Sequence, residues 1–169
     1  MKGTFDRFSS FFALPLRDRK SRLNRRSSTH ARSLKGSLTD SGYKTEHFSS
    51  SKAYNMNTGY AQCVSISQAD RIVYVSGQIP IRPDGTLPET FAEQAKQVWS
   101  NIAMQLQEAG LGLDNIVKHT TYLSDRKYRS EYRQVRQAVL GDHEPALTVI
   151  IADIFDEAWL LEVEAVASL

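Results

Sequence analysis

One apolar stripe fixes the centre of this chain. Phe91, Ala95, Val98, Ile102, Leu106 and Ala109 recur at three- and four-residue steps, the spacing that aligns one face of an α-helix. Thr90 can cap this helix, and Glu93 completes a Thr-x-x-Glu capping box. Gly110 supplies the left-handed residue with which helices commonly end. Shorter runs on either side have strand character. Gln62–Ser67 alternates in polarity, and Arg71–Ser76 is rich in β-branched and aromatic residues and ends at Gly77. Their spacing about the turn Gln68-Ala69-Asp70 predicts a hairpin. Pro80–Pro88 reads as a loop, turning at Pro83-Asp84-Gly85. Ile116–Leu123 is a further strand. Tyr128–Leu140 is a second, highly charged helix whose inner stripe is Tyr128, Tyr132, Val135 and Val139, ended by Gly141-Asp142. Ala146–Ala152 reads as a buried strand and Leu160–Ala167 as the last. The order predicts an α+β fold, a mixed sheet with two helices on one face. No third layer remains for the other face, which is expected to pack in an oligomer.

Charge divides the chain in two. Residues 1–55 carry 12 Lys+Arg and 4 Asp+Glu, whereas residues 56–169 carry 9 and 15. The basic pI near 8.7 therefore belongs to the first part, and the folding part is acidic. Residues 1–55 contain 11 serines and a row of arginines, from Arg17 to Arg32, after a short cluster of Phe5, Phe8, Phe11 and Phe12. This composition buries too little apolar surface to offset the entropy of ordering it, so 1–55 is expected to be a disordered tail and 56–169 the domain. The tail reads as a transit peptide, as an arm for anionic surfaces, as a dispensable extension, or as the product of a start assigned too early. Asp6 and Asp18 run against the transit reading. One cysteine, Cys63, excludes an internal disulfide framework, and no apolar run approaches the ~20 residues that span a bilayer.

Most catalytic templates are absent: no Walker loop, no Gly-x-Gly-x-x-Gly, no His-Glu-x-x-His and no Gly-x-Ser-x-Gly. The histidines, His30, His47, His119 and His143, are not spaced for a metal site. His119 reads as a satisfied or interfacial histidine and Cys63 as a small apolar filler. Two features carry chemistry. Ser76-Gly77-Gln78-Ile79-Pro80 puts a hydroxyl, a bare backbone position and an amide at a strand end, where a small polar ligand can approach closely. Glu162 and Glu164 interrupt an otherwise apolar strand, and a carboxylate there needs a partner or a water-filled cleft. Such a group can handle a proton or position water, or pair across a subunit interface.

Residues 59–167 resemble the RidA/YjgF family, the reactive-intermediate imine/enamine deaminases, also labelled L-PSP endoribonucleases. The matching stretches include Gly59-Tyr60-Ala61-Gln62, Val73-Tyr74-Val75-Ser76-Gly77-Gln78-Ile79-Pro80, Glu93-Gln94 through Asn101, Ala109-Gly110-Leu111, Ile116-Val117-Lys118, Pro145-Ala146 and Leu161-Glu162-Val163-Glu164-Ala165-Val166-Ala167. The resemblance implies a chorismate-mutase-like subunit in a homotrimer. Clefts between neighbours would bind small imines or enamines, and water would release ammonia and a 2-oxo acid without a cofactor. By motif position Tyr60 would line the cleft, Ser76 and Gly77 would face the ligand, and Glu162 would hold or activate the water.

One position departs from the family. Its deaminases carry an arginine directly after Pro-Ala, where it clamps the substrate carboxylate with a two-pronged hydrogen bond. Here that position is Leu147, which has no donor. Losing such a partner costs a buried anion on the order of 3–5 kcal/mol. The asparagine that some members carry on the second helix has no clear counterpart near Glu131 and Tyr132. The expectation is weak or no turnover of 2-iminopropanoate, unless Arg82, Arg129 or Arg133 takes over the clamp. The rival readings are a trimer that binds a small metabolite without turnover and, more distantly, an RNA-cleaving or translation-inhibiting protein. The acidic folded part disfavours nucleic acid as a partner, and no membrane partner is expected. The single cysteine fits a reducing compartment, so the chain is expected in the cytoplasm, or in mitochondria or another organelle if the tail is a transit peptide.

Overall fold

The computed structural model describes residues 44–53 and 59–169. The described elements run β1 (Lys44–Phe48), β2 (Cys63–Ser67), β3 (Ile72–Gln78), α1 (Phe91–Glu108), β4 (Ile116–Leu123), α2 (Arg129–Leu140), β5 (Ala146–Ile151) and β6 (Leu161–Ser168). The start of α1 follows from its sequence. Glu93 N–H donates to Thr90 Oγ1 at 3.3 Å, and Thr90 N–H returns a bond to Glu93 Oε2 at 3.2 Å. Both orphan donors at the helix entry are thereby satisfied. Gly110 follows the last turn at φ +74°.

Four strands form one sheet in the order β3-β6-β4-β5. β4 and β5 are parallel, and β6 is antiparallel to both β3 and β4. A parallel pair needs a crossover rather than a hairpin, and α2 supplies it. Val75, Leu161, Val163, Ala165 and Ala167 of the sheet meet Ala95, Val98, Trp99, Ile102 and Leu106 of α1, with Tyr132, Val135 and Leu140 of α2 in the same core. Both helices thus lie on one sheet face, as the element order predicts. The chain has an α+β architecture: two helices on a mixed sheet.

Four expectations are corrected. β2 does not make a hairpin with β3; it pairs antiparallel with β1 in a separate two-stranded sheet. The intervening segment is tied elsewhere: Asp70 and Arg71 donate to the Leu169 carbonyl at 2.8 and 3.2 Å, and Gln68 sits at φ 59°. β1 itself falls inside the stretch that composition assigned to a disordered tail. The remainder of that stretch, residues 1–43 and 54–55, lies outside the described residues. β5 is not a buried strand. It is the sheet edge, so Val149, Ile150 and Ile151 stay 40, 43 and 41% exposed. Cys63 is an exposed free thiol on β2 rather than a core filler, because that two-stranded sheet lies outside the main core.

Candidate functional site

The sequence-derived site residues fall into two groups on opposite sides of the sheet. Strand alternation decides this. On β6, Leu161, Val163, Ala165 and Ala167 are buried toward the helices, so Glu162 and Glu164 point to the uncovered face. Glu162 stands opposite Tyr122 of β4, and Glu164 opposite Thr120. Desolvation first, then the Glu164 and Glu162 carboxylates, raise the pKa of the Tyr122 hydroxyl above its usual value.

Glu162 also crosses to β3. A Cβ placed on Gly77 would overlap the Glu162 carboxylate. Gly77 therefore lets the carboxylate lie directly on the β3 backbone next to Ser76. The register between β3 and β6 shifts at this point, between Val75 and Gln78, which opens the backbone where a ligand could approach. Two buried amides of α1 hold the surrounding loops. Asn101 Nδ2 donates to the carbonyls of Ile79 and Ile81 at 2.8 and 3.0 Å, fixing the exit of β3. Gln94 donates to Pro88 and Ala158 and accepts from Leu160 N–H at 2.9 Å, fixing the entry of β6. Ser76, Gly77 and Glu162 are thus brought together.

Tyr60 and Leu147 meet on the other side. Ala61 N–H donates to the Pro145 carbonyl at 3.2 Å and forms a one-residue parallel bridge with Ala146. This sets Tyr60 beside Leu147 at the mouth of a cleft of about 810 Å³ between β5 and α2. Leu147, Val149 and Ile151 make one wall, since alternate residues of β5 share a face. The opposite wall is basic: Arg126, Lys127, Arg129, Arg133 and Arg136 line it, with Ser130 and Tyr132, and among the described residues no carboxylate lines the cleft.

Arg136 anchors this wall. It is 4% exposed, donates from Nη2 to the Gly59 carbonyl at 3.2 Å and lies 6.0 Å from the Tyr60 ring centroid. Burial first, and Arg133 among its neighbours, lower its pKa from the usual arginine value. The sequence reading gave the inner stripe of α2 to tyrosines and valines and missed Arg136. The signal is the arginine spacing itself, at 126, 129, 133 and 136, steps of three and four that place them on one helical face. Of the three conceivable substitutes for the absent clamp, Arg129 and Arg133 line the cleft. Arg82 does not: it donates to Thr86 Oγ1 at 3.2 Å within its own loop. The tyrosine at 132 donates to or accepts from Thr121 Oγ1 at the base of the cleft.

His119 lies beneath this floor, paired in register with Leu147. It packs edge-on to Trp99 with centroids 5.2 Å apart and approaches Thr121 Oγ1 at 3.4 Å. Desolvation, followed by the charges of Arg136, His143 and Lys118, drops its pKa to about 3. It is a neutral core histidine. Among the described residues no group of three or more His, Cys, Asp or Glu side chains is placed to hold a metal ion, and no helix is long and apolar enough to cross a membrane.

Residues 50–169 match the family model described as Endoribonuclease L-PSP. The chain belongs to this family, the RidA/YjgF proteins. Among curated relatives in the family, it is 31% identical over 121 residues to a rat 2-iminobutanoate/2-iminopropanoate deaminase, spanning 70% of this chain and 86% of the relative. It is 33% identical over 110 residues to a RutC family protein of Pyrococcus abyssi, spanning 64% and 84%. Protein MMF1, mitochondrial, of Saccharomyces cerevisiae is 38% identical over 84 residues, covering 49% of this chain and 58% of that protein. Among solved structures, yeast Mmf1 superposes with a TM-score of 0.56 at 32% identity, over 73% of this chain and 98% of that one. These identities support the family and not a particular substrate.

Proposed function

We propose that this RidA-family protein hydrolyses a small imine or enamine in clefts shared between neighbouring copies of a homotrimer. The observation that carries the reading is the split site. Ser76, Gly77 and Glu162 lie on the uncovered sheet face, while Tyr60 and Leu147 flank the cleft on the helix side. A single copy cannot bring both groups to one ligand. An assembly in which the β5 edge of one copy abuts the open sheet face of the next can. Exposed apolar residues on those surfaces, with Tyr74 77% exposed and Ile150 43% exposed, suit such packing.

In the reaction, Glu162 accepts a proton from water as the water oxygen bonds to the imine carbon. Glu162 passes this proton to the imine nitrogen, which takes up the C=N electron pair. In the resulting amino alcohol Glu162 then carries the hydroxyl proton to the amino nitrogen, so the C–N bond breaks, ammonia leaves and the C=O bond forms. The exposed backbone beside Ser76 and Gly77 offers donors for the developing charge. Water is the co-reactant, and the scheme calls for no cofactor. Rat and bovine relatives named 2-iminobutanoate/2-iminopropanoate deaminase support this chemistry.

Leu147 favours a second reading, a trimer that binds a metabolite without turning it over, because the Leu147 side chain offers no donor to a substrate carboxylate. A coupled assay of ammonia release from freshly generated 2-aminoacrylate separates the two. Hydrolysis abolished in Glu162→Gln supports the first; ligand-induced stabilisation with no ammonia from wild type supports the second. The word mitochondrial in the names of two yeast relatives, with the basic, serine-rich residues 1–55, supports an organelle over the cytoplasm.

A further inference from the structure

The cleft carries more positive charge than the proposed reaction needs. Five cations line one wall, and among the described residues no carboxylate lines the cleft. Among the described residues, Lys127 is paired with Asp125 at 3.3 Å, and neither Arg129 nor Arg133 has an ion-pair or hydrogen-bond partner. Arg129 is the first residue of α2, where the partial positive charge of the helix end disfavours a cation, and Arg126 and Lys127 lie in the 3₁₀ turn before it. Because the folded part as a whole is acidic, this concentration of cations is local.

In a single copy the cleft measures about 810 Å³ and is open to solvent, so it forms one side of the shared site and not its full outline. Its other wall is apolar, formed by Leu147, Val149 and Ile151.

We infer that Arg129 and Arg133, backed by the buried Arg136, form the anion-recognition element of this cleft, and that it selects a dianionic small molecule with an apolar stem over a monocarboxylate. The geometry moves the grip from β5 to α2. Leu147 then meets the stem of the ligand, and the arginine pair meets the far acid group. The inference rests on the proposed hydrolysis for its substrate class, an imine of a dicarboxylic acid, but the anion site itself is testable by binding alone.

The probes are pyruvate, 2-oxoglutarate and inorganic phosphate, with the full-length protein at constant ionic strength. Binding is read by calorimetry and by thermal shift. 2-Oxoglutarate should bind at least ~10-fold tighter than pyruvate, the worth of one added charge-assisted pair. That preference should fade as chloride is raised. It should vanish in Arg129→Gln/Arg133→Gln and return in part in Arg129→Lys/Arg133→Lys. In turnover, the imine of glutamate should show a lower KM than the imine of alanine, with the double glutamine variant raising KM more than it lowers kcat. Equal affinity for pyruvate and 2-oxoglutarate in wild type, a reading that needs no variant, overturns the inference. So does preference for phosphate alone with no contribution from the stem, or displacement of 2-oxoglutarate by single-stranded RNA at lower concentration. Charge-selective binding without ammonia release from either imine upholds the anion site and counts against the hydrolysis.

Discussion

Acid should unfold this protein partly through one side chain beneath the cleft. His119 is 1% exposed, and desolvation together with the positive charges of Arg136, His143 and Lys118 lowers its pKa from 6.5 to about 3. Its folded pKa lies below its unfolded pKa, so between these values the unfolded chain binds more protons than the folded one. The stability tied to a neutral His119 is therefore complete above pH 6.5 and drains away as the pH falls toward 3. At ~1.4 kcal/mol per pH unit, acidifying to pH 5 removes about 2 kcal/mol. Urea unfolding of wild type and His119→Gln, at one protein concentration and several pH values from neutral to pH 5, isolates this contribution. Glutamine does not titrate, whereas all other titrating groups are common to both proteins. The stability difference between the two should shift against wild type by about 2 kcal/mol over that range. A difference that stays constant with pH would mean His119 titrates as it does in the open chain, and the account of a buried neutral histidine would be wrong.

Two further substitutions probe the site. Gly77→Ala should force the Glu162 carboxylate off the β3 backbone, since the new methyl occupies its place; a displacement of about 1 Å at a reacting group costs ~100-fold in kcat/KM. Unchanged kcat/KM would separate Glu162 from the chemistry. Arg136→Met should lower stability by about 1–3 kcal/mol, because it removes a charge-assisted hydrogen bond from a buried position. The same variant should raise KM by loosening Tyr60; unfolding midpoints and kinetics indistinguishable from wild type would refute its role as anchor.

The helical part of the fold was legible because its signals are local. The Thr90–Glu93 box and the α1 stripe lie within a few residues of each other, and both appear as read. The β4 boundaries, Ile116–Leu123, also coincide. Strand pairing was harder because it depends on distant partners. The β2–β3 hairpin failed once Asp70 and Arg71 were claimed by the carbonyl of Leu169, at the far end of the domain. Apolar β5 read as buried because composition cannot tell an edge from an interior strand. The alternation of β6 put Glu162 and Glu164 on one face correctly, and its contact with Gly77 explains why that position lacks a side chain. The basic wall escaped notice because arginines on a charged helix resemble ordinary solvated surface until β5 is seen to close a cleft against them.

Subunit mixing tests the shared cleft most directly. Glu162→Gln and Arg133→Gln proteins, each prepared alone, should be impaired in ammonia release from the preferred imine. After dissociation and reassembly as an equal mixture, some clefts should combine an intact Glu162 from one copy with an intact Arg133 from its neighbour, restoring about a quarter of wild-type activity for random assembly. Activity that stays at the average of the two parents after verified exchange would contradict the account, because it would place both residues' work within a single copy or outside the reaction.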